Sequence, residues 1–452
     1  MSNLTTFNPT LLQRRPPLPV VADYAPALDE HGEVVEVNEP LMPSLLGLVT
    51  GVYLLSVVTM SSASKETSWI PQVIGATLGV LWIAVGIFAK GQPIAWSKPI
   101  TLFLIFGAWA GLGFLVTIDP DYFMDVYQTS IKVSIITWIC LQCIRTRKDY
   151  LICCLMIGVG GCIILLVGYD TIMRAVEFTG SRVSKGARAE DTLVNNTNDL
   201  GQVGVLMGFT SACCLLGYRS VVMKLVAIPP IIAALYIVAA SGSRQAMVGV
   251  IAISVGTYWH HFRMSQKGSI GKKLIVVFLS LCVLGGTLYY IQNLPFFFRL
   301  VSVVSSREEV EREPRFQYFL YALGATAEHP LMGLGTGGFA LARYGVNAEN
   351  VGHYSHSTVS ETLSCNGIPG FLLYFGSRFA FFFLAKRTQR LPLPSRDLAM
   401  VRLMMAFFWG LIIFDVVNIT FQDRLVWPWL GVACGYLWQL NKRYGSAAPV
   451  VA

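Results

Sequence analysis

Apolar runs close to twenty residues long recur from Leu41 almost to the C-terminus. At about 1.5 Å of rise per residue, each is long enough to cross a hydrocarbon core of about 30 Å. No water is present there to satisfy an open backbone, so such runs fold as helices whose hydrogen bonds stay within the segment. Composition removes the soluble alternative: 54% of residues are hydrophobic and 13% charged, against roughly 25% charged in an average soluble domain. The short alternating strands of a transmembrane barrel are not seen. The expected fold class is therefore all-α, a polytopic integral membrane protein of about twelve transmembrane helices with one large non-cytoplasmic loop containing short helices.

The expected spans lie near 41–60, 69–89, 99–118, 128–144, 150–173, 199–217, 223–240, 245–260, 274–292, 366–385, 398–420 and 425–440. The run at 128–144 is the weakest, with Lys132 near its start and able to snorkel. Residues 1–40 are polar and Pro-rich and read as a disordered cytoplasmic tail with no signal peptide. Residues 41–292 carry helices one to nine, 293–366 form the large loop, 367–440 carry helices ten to twelve, and 441–452 form a second cytoplasmic tail.

The net charge of +8 reads as orientation and implies no nucleic-acid partner. Lys and Arg gather in alternate connections, at 145–148, 260–273, 386–390 and Lys442-Arg443, as expected when both termini are cytoplasmic. Two outer segments depart from this. Residues 174–198 carry Arg174, Arg182, Lys185 and Arg188, and residues 293–366 carry Arg299, Arg307, Arg312, Arg315 and Arg343. Long translocated loops tolerate such charge. Equally, outward-facing arginines suit an anionic substrate at the membrane surface. Charge alone leaves both readings open.

Most connections here are a handful of residues, so the loop at 293–366 asks for a reason. It holds His329, His353 and His356. The spacing of His353, His356 and Glu361 is not the HExxH pattern that places two imidazoles on one helical face, and no metal is expected. The ten cysteines, including the Cys140–Cys143 CxxC, fall mostly in apolar runs and read as small hydrophobes. Gly333 to Gly338 follow no parallel strand, so they read as a turn rather than a nucleotide loop, and no cofactor is expected. A helix is predicted from Arg315 to Ala327, with Phe316, Phe319, Leu320 and Leu323 on a face laid against the bundle or the lipid interface. His356 precedes a helix start near these arginines. Imidazole is the side chain best suited to take a proton near neutral pH, and arginines stabilise a departing phosphate.

These residues resemble the O-antigen ligases and the related O-antigen or exopolysaccharide polymerases of bacterial inner membranes. The signature of their large periplasmic loop is His, then Asn, Ser or Gln, nine residues and Gly-x-x-Gly. It is met here by His356-Ser357, Thr358 to Asn366, and Gly367-Ile368-Pro369-Gly370. EHPLMGLGTGGF (Glu328 to Phe339) resembles the family's HP-L-x-G-x-G turn, with Arg315 upstream. SGSRQAM (Ser241 to Met247) resembles its Ser-Arg helix start, and NTNDLG (Asn196 to Gly201) its Asn-Pro-Asn segment, with Thr197 in place of Pro.

The resemblance implies metal-independent, inverting transfer of a glycan from an undecaprenyl-pyrophosphate donor to a glycan or lipid A–core acceptor, among membrane lipids at the periplasmic face. His356 would be the general base. Arg244 and Arg315 would hold the pyrophosphate, with Arg188 or Arg182 and Asn198 assisting. Glu361 would orient His356 or bind sugar, and His353 would lie at the substrate. The resemblance does not separate ligase from polymerase. Two readings from other classes remain: a transporter or flippase of anionic lipid-linked glycans, which needs ionisable groups at mid-membrane depth, and a scaffold with a partner-binding loop.

Overall fold

The computed structural model describes residues 42–60, 69–89, 93–169, 197–241, 243–259, 314–345 and 355–445. Among these residues every regular element is helical, and no strand occurs. In chain order the helices are α1 (Leu45–Met60), α2 (Trp69–Leu81, continued by a π-helical stretch, Trp82–Ala89), α3 (Lys98–Leu112), α4 (Pro120–Cys143) and α5 (Arg147–Val167). They continue with α6 (Thr197–Gly217), α7 (Val221–Ser241), α8 (Arg244–Tyr258), α9 (Pro314–Glu328) and α10 (Gly338–Tyr344). The last are α11 (Thr358–Thr388), α12 (Ser395–Val417) and α13 (Val426–Tyr444). Seven helices among the described residues are long and apolar enough to cross a membrane, and α1 and most of α8 are shorter apolar helices. Each expected span coincides with a helix except 274–292, which lies outside the described residues, as do the tail 1–40, residues 446–452, Arg182, Arg188 and His353.

Several boundaries differ from the sequence reading, each for a physical reason. Helix α4 starts at Pro120 rather than near 128 because Asp119 caps it, its carboxylate accepting the Tyr122 N–H at 3.1 Å, and Pro120 needs no donor partner in the first turn. Helix α13 runs on to Tyr444 and takes in Lys442 and Arg443, placed in the tail from sequence; both cations sit favourably in the last helical turn. Helix α11 begins at Thr358, inside the expected loop. Its backbone breaks at Gly367 (φ 65°, ψ −173°), so a short N-terminal piece precedes the long apolar one, and the expected start of the tenth span falls on the break.

Of the two readings of the α9 face, packing on the bundle does not hold: Phe316, Phe319, Leu320 and Leu323 are exposed. Small residues make the inward face instead: Ala322 is fully buried, and Ala325 and Thr326 nearly so. Small side chains let helices approach closely, so this is the face on which α9 meets α11.

Helix α13 forms the buried centre, with Trp427 and Trp429 almost inaccessible. A side chain at Gly431 would fall on the Thr137 carbonyl of α4, and one at Gly435 would come within 2.8 Å of the Leu141 carbonyl, so this small-x-x-x-small pair lets the two backbones touch. Arg378 of α11 and Asp415 of α12 meet as a fully buried ion pair at 3.0 Å. Tyr374 and Thr420 bond the same carboxylate, and the Arg378 guanidinium lies 4.1 Å from the Trp427 ring centroid. The pair ties α11 to α12 inside the bundle, while the Arg378 Nη1 has no partner among the described residues.

Candidate functional site

Four helix starts carry the residues singled out from sequence. Asn198 lies in the first turn of α6, Arg244 is the first residue of α8, Arg315 the second of α9, and His356 stands just before α11. Helix starts expose backbone N–H groups and the positive end of the helix dipole, which favours anions.

Contacts join these starts in series. Gly201 in α6 is packed so closely on the start of α8 that an added Cβ would lie 2.7 Å from the Ala246 Cβ and 2.9 Å from the Ser243 Cβ. The start of α6 meets the α12–α13 connection, where the Asn418 amide donates to Asp199 at 3.2 Å and to Gln202 at 3.3 Å. The same connection meets α11, the Thr358 N–H and hydroxyl both donating to the Asn418 carbonyl at 2.9 and 2.7 Å. Across from α11, the Tyr318 ring of α9 lies stacked on His356, centroids 6.3 Å apart and planes 22° off parallel.

His356 is half-buried, and it is the one non-glycine residue with positive φ (56°) among the described residues. A side chain in this left-handed region costs conformational energy, so its surroundings must hold it there. Three bonds do so. The Ser355 N–H donates to Glu361 at 3.0 Å, the Ser355 hydroxyl donates to the Ser357 carbonyl at 2.9 Å, and Ser357 caps α11 by accepting the Ser360 N–H at 3.5 Å. Glu361 is buried, and its other oxygen takes the Cys365 thiol at 3.5 Å. Cys365 in turn accepts the Phe339 N–H at 3.3 Å, tying the start of α11 to the turn at 328–339.

That turn and the break in α11 interlock backbone to backbone. Gly333, Gly335 and Gly337 all have positive φ. The Leu334 N–H donates to the Ser364 carbonyl and the Ile368 N–H to the Pro330 carbonyl, both at 2.8 Å. A Cβ on Gly367 would strike the Leu331 and Pro330 carbonyls, and one on Gly333 the Ser364 carbonyl. Only glycine suits both the φ and the space. The end of α3 closes the assembly, its Trp109 indole donating to the Asn366 carbonyl at 3.0 Å.

Residues 229–375 match the family model described as O-antigen ligase. This stretch is similar to the O-antigen ligase family. No curated protein matches the chain in sequence. The matched stretch runs from inside α7 into α11 and takes in Arg244, Arg315, the glycine turn, His356 and Gly367. Asn198 lies before it, and α12 and α13 after it.

Residues that packing brings to this stretch were passed over in the sequence. Gln245 follows Arg244, is 5% exposed, and neither polar atom of its amide has a partner among the described residues. Buried polar groups nearly always have one, which singles this amide out. The α12–α13 connection was read as a short loop, yet Asn418 ties α6 to α11, while Asp423 accepts from Gln202 at 2.6 Å and from the Leu425 and Val426 N–H groups. Burial pushes the Asp423 carboxyl above the usual carboxylate range, and those two backbone donors pull the other way. No group of His, Cys, Asp and Glu able to hold a metal occurs among the described residues.

Proposed function

We propose that this protein transfers a glycan from undecaprenyl pyrophosphate to an acceptor hydroxyl at the periplasmic face of a bacterial inner membrane. Both termini are cytoplasmic in this reading, and the segment 293–366 is the periplasmic loop. His356 takes the proton of the acceptor hydroxyl. The acceptor oxygen forms the new bond at the anomeric carbon as that carbon's bond to the pyrophosphate breaks, so one displacement inverts the centre. The released undecaprenyl pyrophosphate carries the negative charge, which Arg244 and Arg315 stabilise, with Arg188 or Arg182 supplying a further cation. Asn198, His353 and the Gln245 amide belong to the substrate-binding surround.

The observation that carries this reading is the placement of His356 in a held left-handed backbone, joined through contacts to three other helix starts, inside the stretch similar to the O-antigen ligase family. Substituting Arg244 or Arg315 by alanine is expected to lower transfer by about 10- to 100-fold, the worth of one charged hydrogen bond to the pyrophosphate. Steady-state rates with varied lipid-linked donor check this. Lysine at either position restores part of the rate, since it keeps charge but not the bidentate fork. Full activity in both alanine variants removes the arginines from the mechanism.

Glu361 acts on His356 through the Ser355 N–H and is a positioning residue. Glu361→Ala leaves that buried donor unpaired, which costs about 1–3 kcal/mol, and is expected to lower kcat far more than it raises KM. Glu361→Gln keeps one acceptor oxygen and recovers much of the rate. Equal rates in the two variants would show that the carboxylate side chain is not what holds His356.

Ligase and polymerase differ in the acceptor alone. Purified protein incubated with lipid-linked repeat units, with and without a separate lipid A–core acceptor, separates them. A growing ladder without the separate acceptor marks a polymerase, and a product that requires it marks a ligase.

A further inference from the structure

A cavity of about 330 Å³ lies between α1, α2, α4 and the α12–α13 connection. That volume is at the small end of ligand pockets. Its walls are largely apolar, with Tyr53, Pro71, Ala76 and Ile136 among them, and two cations line it, Lys132 and Arg424. The connection that carries Arg424 is seated on α4 beside Lys132, the Gln422 amide donating to the Val126 carbonyl and the Ser130 hydroxyl, each at 3.3 Å. Through Asn418 and Thr358 the same connection touches the start of α11, just after His356.

The charges in this cavity are out of balance. Neither Lys132 nor Arg424 has an ion-pair or hydrogen-bond partner among the described residues. Lys132 is twelve residues into α4, about 18 Å along the helix axis, and is exposed there beside Ile131 and Ile135, which are exposed too. An unpaired cation among lipid-facing residues is costly, and two in one apolar-walled cavity repel each other. One anion between them reverses both penalties. A site that sets two cations at the head of an apolar, lipid-facing cleft suits a phosphate group attached to a hydrocarbon chain.

We propose that this cavity is a binding site for the phosphate head group of a membrane lipid, held between Lys132 and Arg424 with its chain along α2 and α4. It is separate from the pyrophosphate site assigned to Arg244 and Arg315, and binding here does not depend on the transfer reaction. The anion is that of a lipid and not free phosphate, because the cleft beside the cations is apolar and open toward exposed residues of α2 and α4 such as Val73 and Ile135.

Native mass spectrometry of the full chain in detergent tests this with three probes: phosphatidic acid, zwitterionic phosphatidylcholine and inorganic phosphate. The wild-type chain should retain phosphatidic acid in preference to phosphatidylcholine, and equimolar inorganic phosphate should not displace it. The double variant Lys132→Ala, Arg424→Ala should weaken retention by about ten-fold or more. Ala76→Trp, which keeps both charges and fills the exposed cleft, should weaken it as well. Retention unchanged in both variants would overturn the site, as would equal retention of phosphatidylcholine. Displacement by inorganic phosphate would overturn its assignment to a lipid.

Discussion

Replacing His356 with alanine is expected to lower glycan transfer by about 10²- to 10⁴-fold, the usual contribution of a positioned general base, while the protein still inserts in the membrane and folds. The backbone at this position makes the choice of controls important. His356 has φ 56°, where asparagine is better tolerated than most residues. His356→Asn therefore keeps the left-handed turn and removes the base, and it should be as inactive as alanine without loss of thermal stability. His356→Gly relieves the backbone cost and should be at least as stable as wild type, yet equally inactive. A variant series in which activity followed stability rather than the imidazole would make His356 a structural residue.

Gly367→Ala is expected to destabilise the fold by about 2–4 kcal/mol, combining a left-handed backbone that a Cβ opposes with a steric overlap. The overlap is with carbonyl oxygens of Leu331 and Pro330, and the backbone cannot yield without losing the Ile368-to-Pro330 hydrogen bond. Because Leu334 and Ser364 bond across the same interface, the loss spreads to the turn at 328–339 and to the Cys365–Glu361 contact behind His356. Activity should fall with stability. Gly324→Ala serves as the control: this glycine lies within α9 with open space around its Cβ, so alanine there should be neutral or stabilise by about 0.5–1 kcal/mol. Thermal unfolding of the detergent-solubilised protein measures both. A Gly367→Ala protein as stable as wild type would show that the interlock does not brace the site.

Much of the architecture was legible in sequence because the signal is local. An apolar run long enough to span a bilayer declares itself, and the ends of α5 to α8 fall within a few residues of the expected spans, apart from the stretch that follows Val167. The His356–Gly367 spacing was legible too, and the structure supplies its reason: Gly367 is where α11 breaks so that the turn at 328–339 can lie against it. Where the reading failed, the information was not local. Aromatic periodicity in α9 marks an apolar stripe but does not say whether protein or lipid covers it, and the small residues Ala322 and Ala325 took the protein side. The expected span at 128–144 missed the first two turns of α4, because the Asp119-Pro120 cap that starts the helix carries no hydropathy signal. The α12–α13 connection was overlooked because Asn418 and Asp423 have partners more than two hundred positions away, in α6. Gln245 was hidden by the arginine beside it, and only its burial without a partner brings it forward.

The most direct test of glycan transfer by His356 uses purified wild-type and His356→Asn protein in the same reconstituted membrane. Each is given a lipid-linked glycan donor and an acceptor, and the product is followed with its anomeric configuration. The account predicts transfer with inversion by the wild-type protein, released undecaprenyl pyrophosphate in equal amount, and a rate at least about 10²-fold lower from the folded variant. Transfer by the variant at the wild-type rate, or a product of retained configuration, would contradict it.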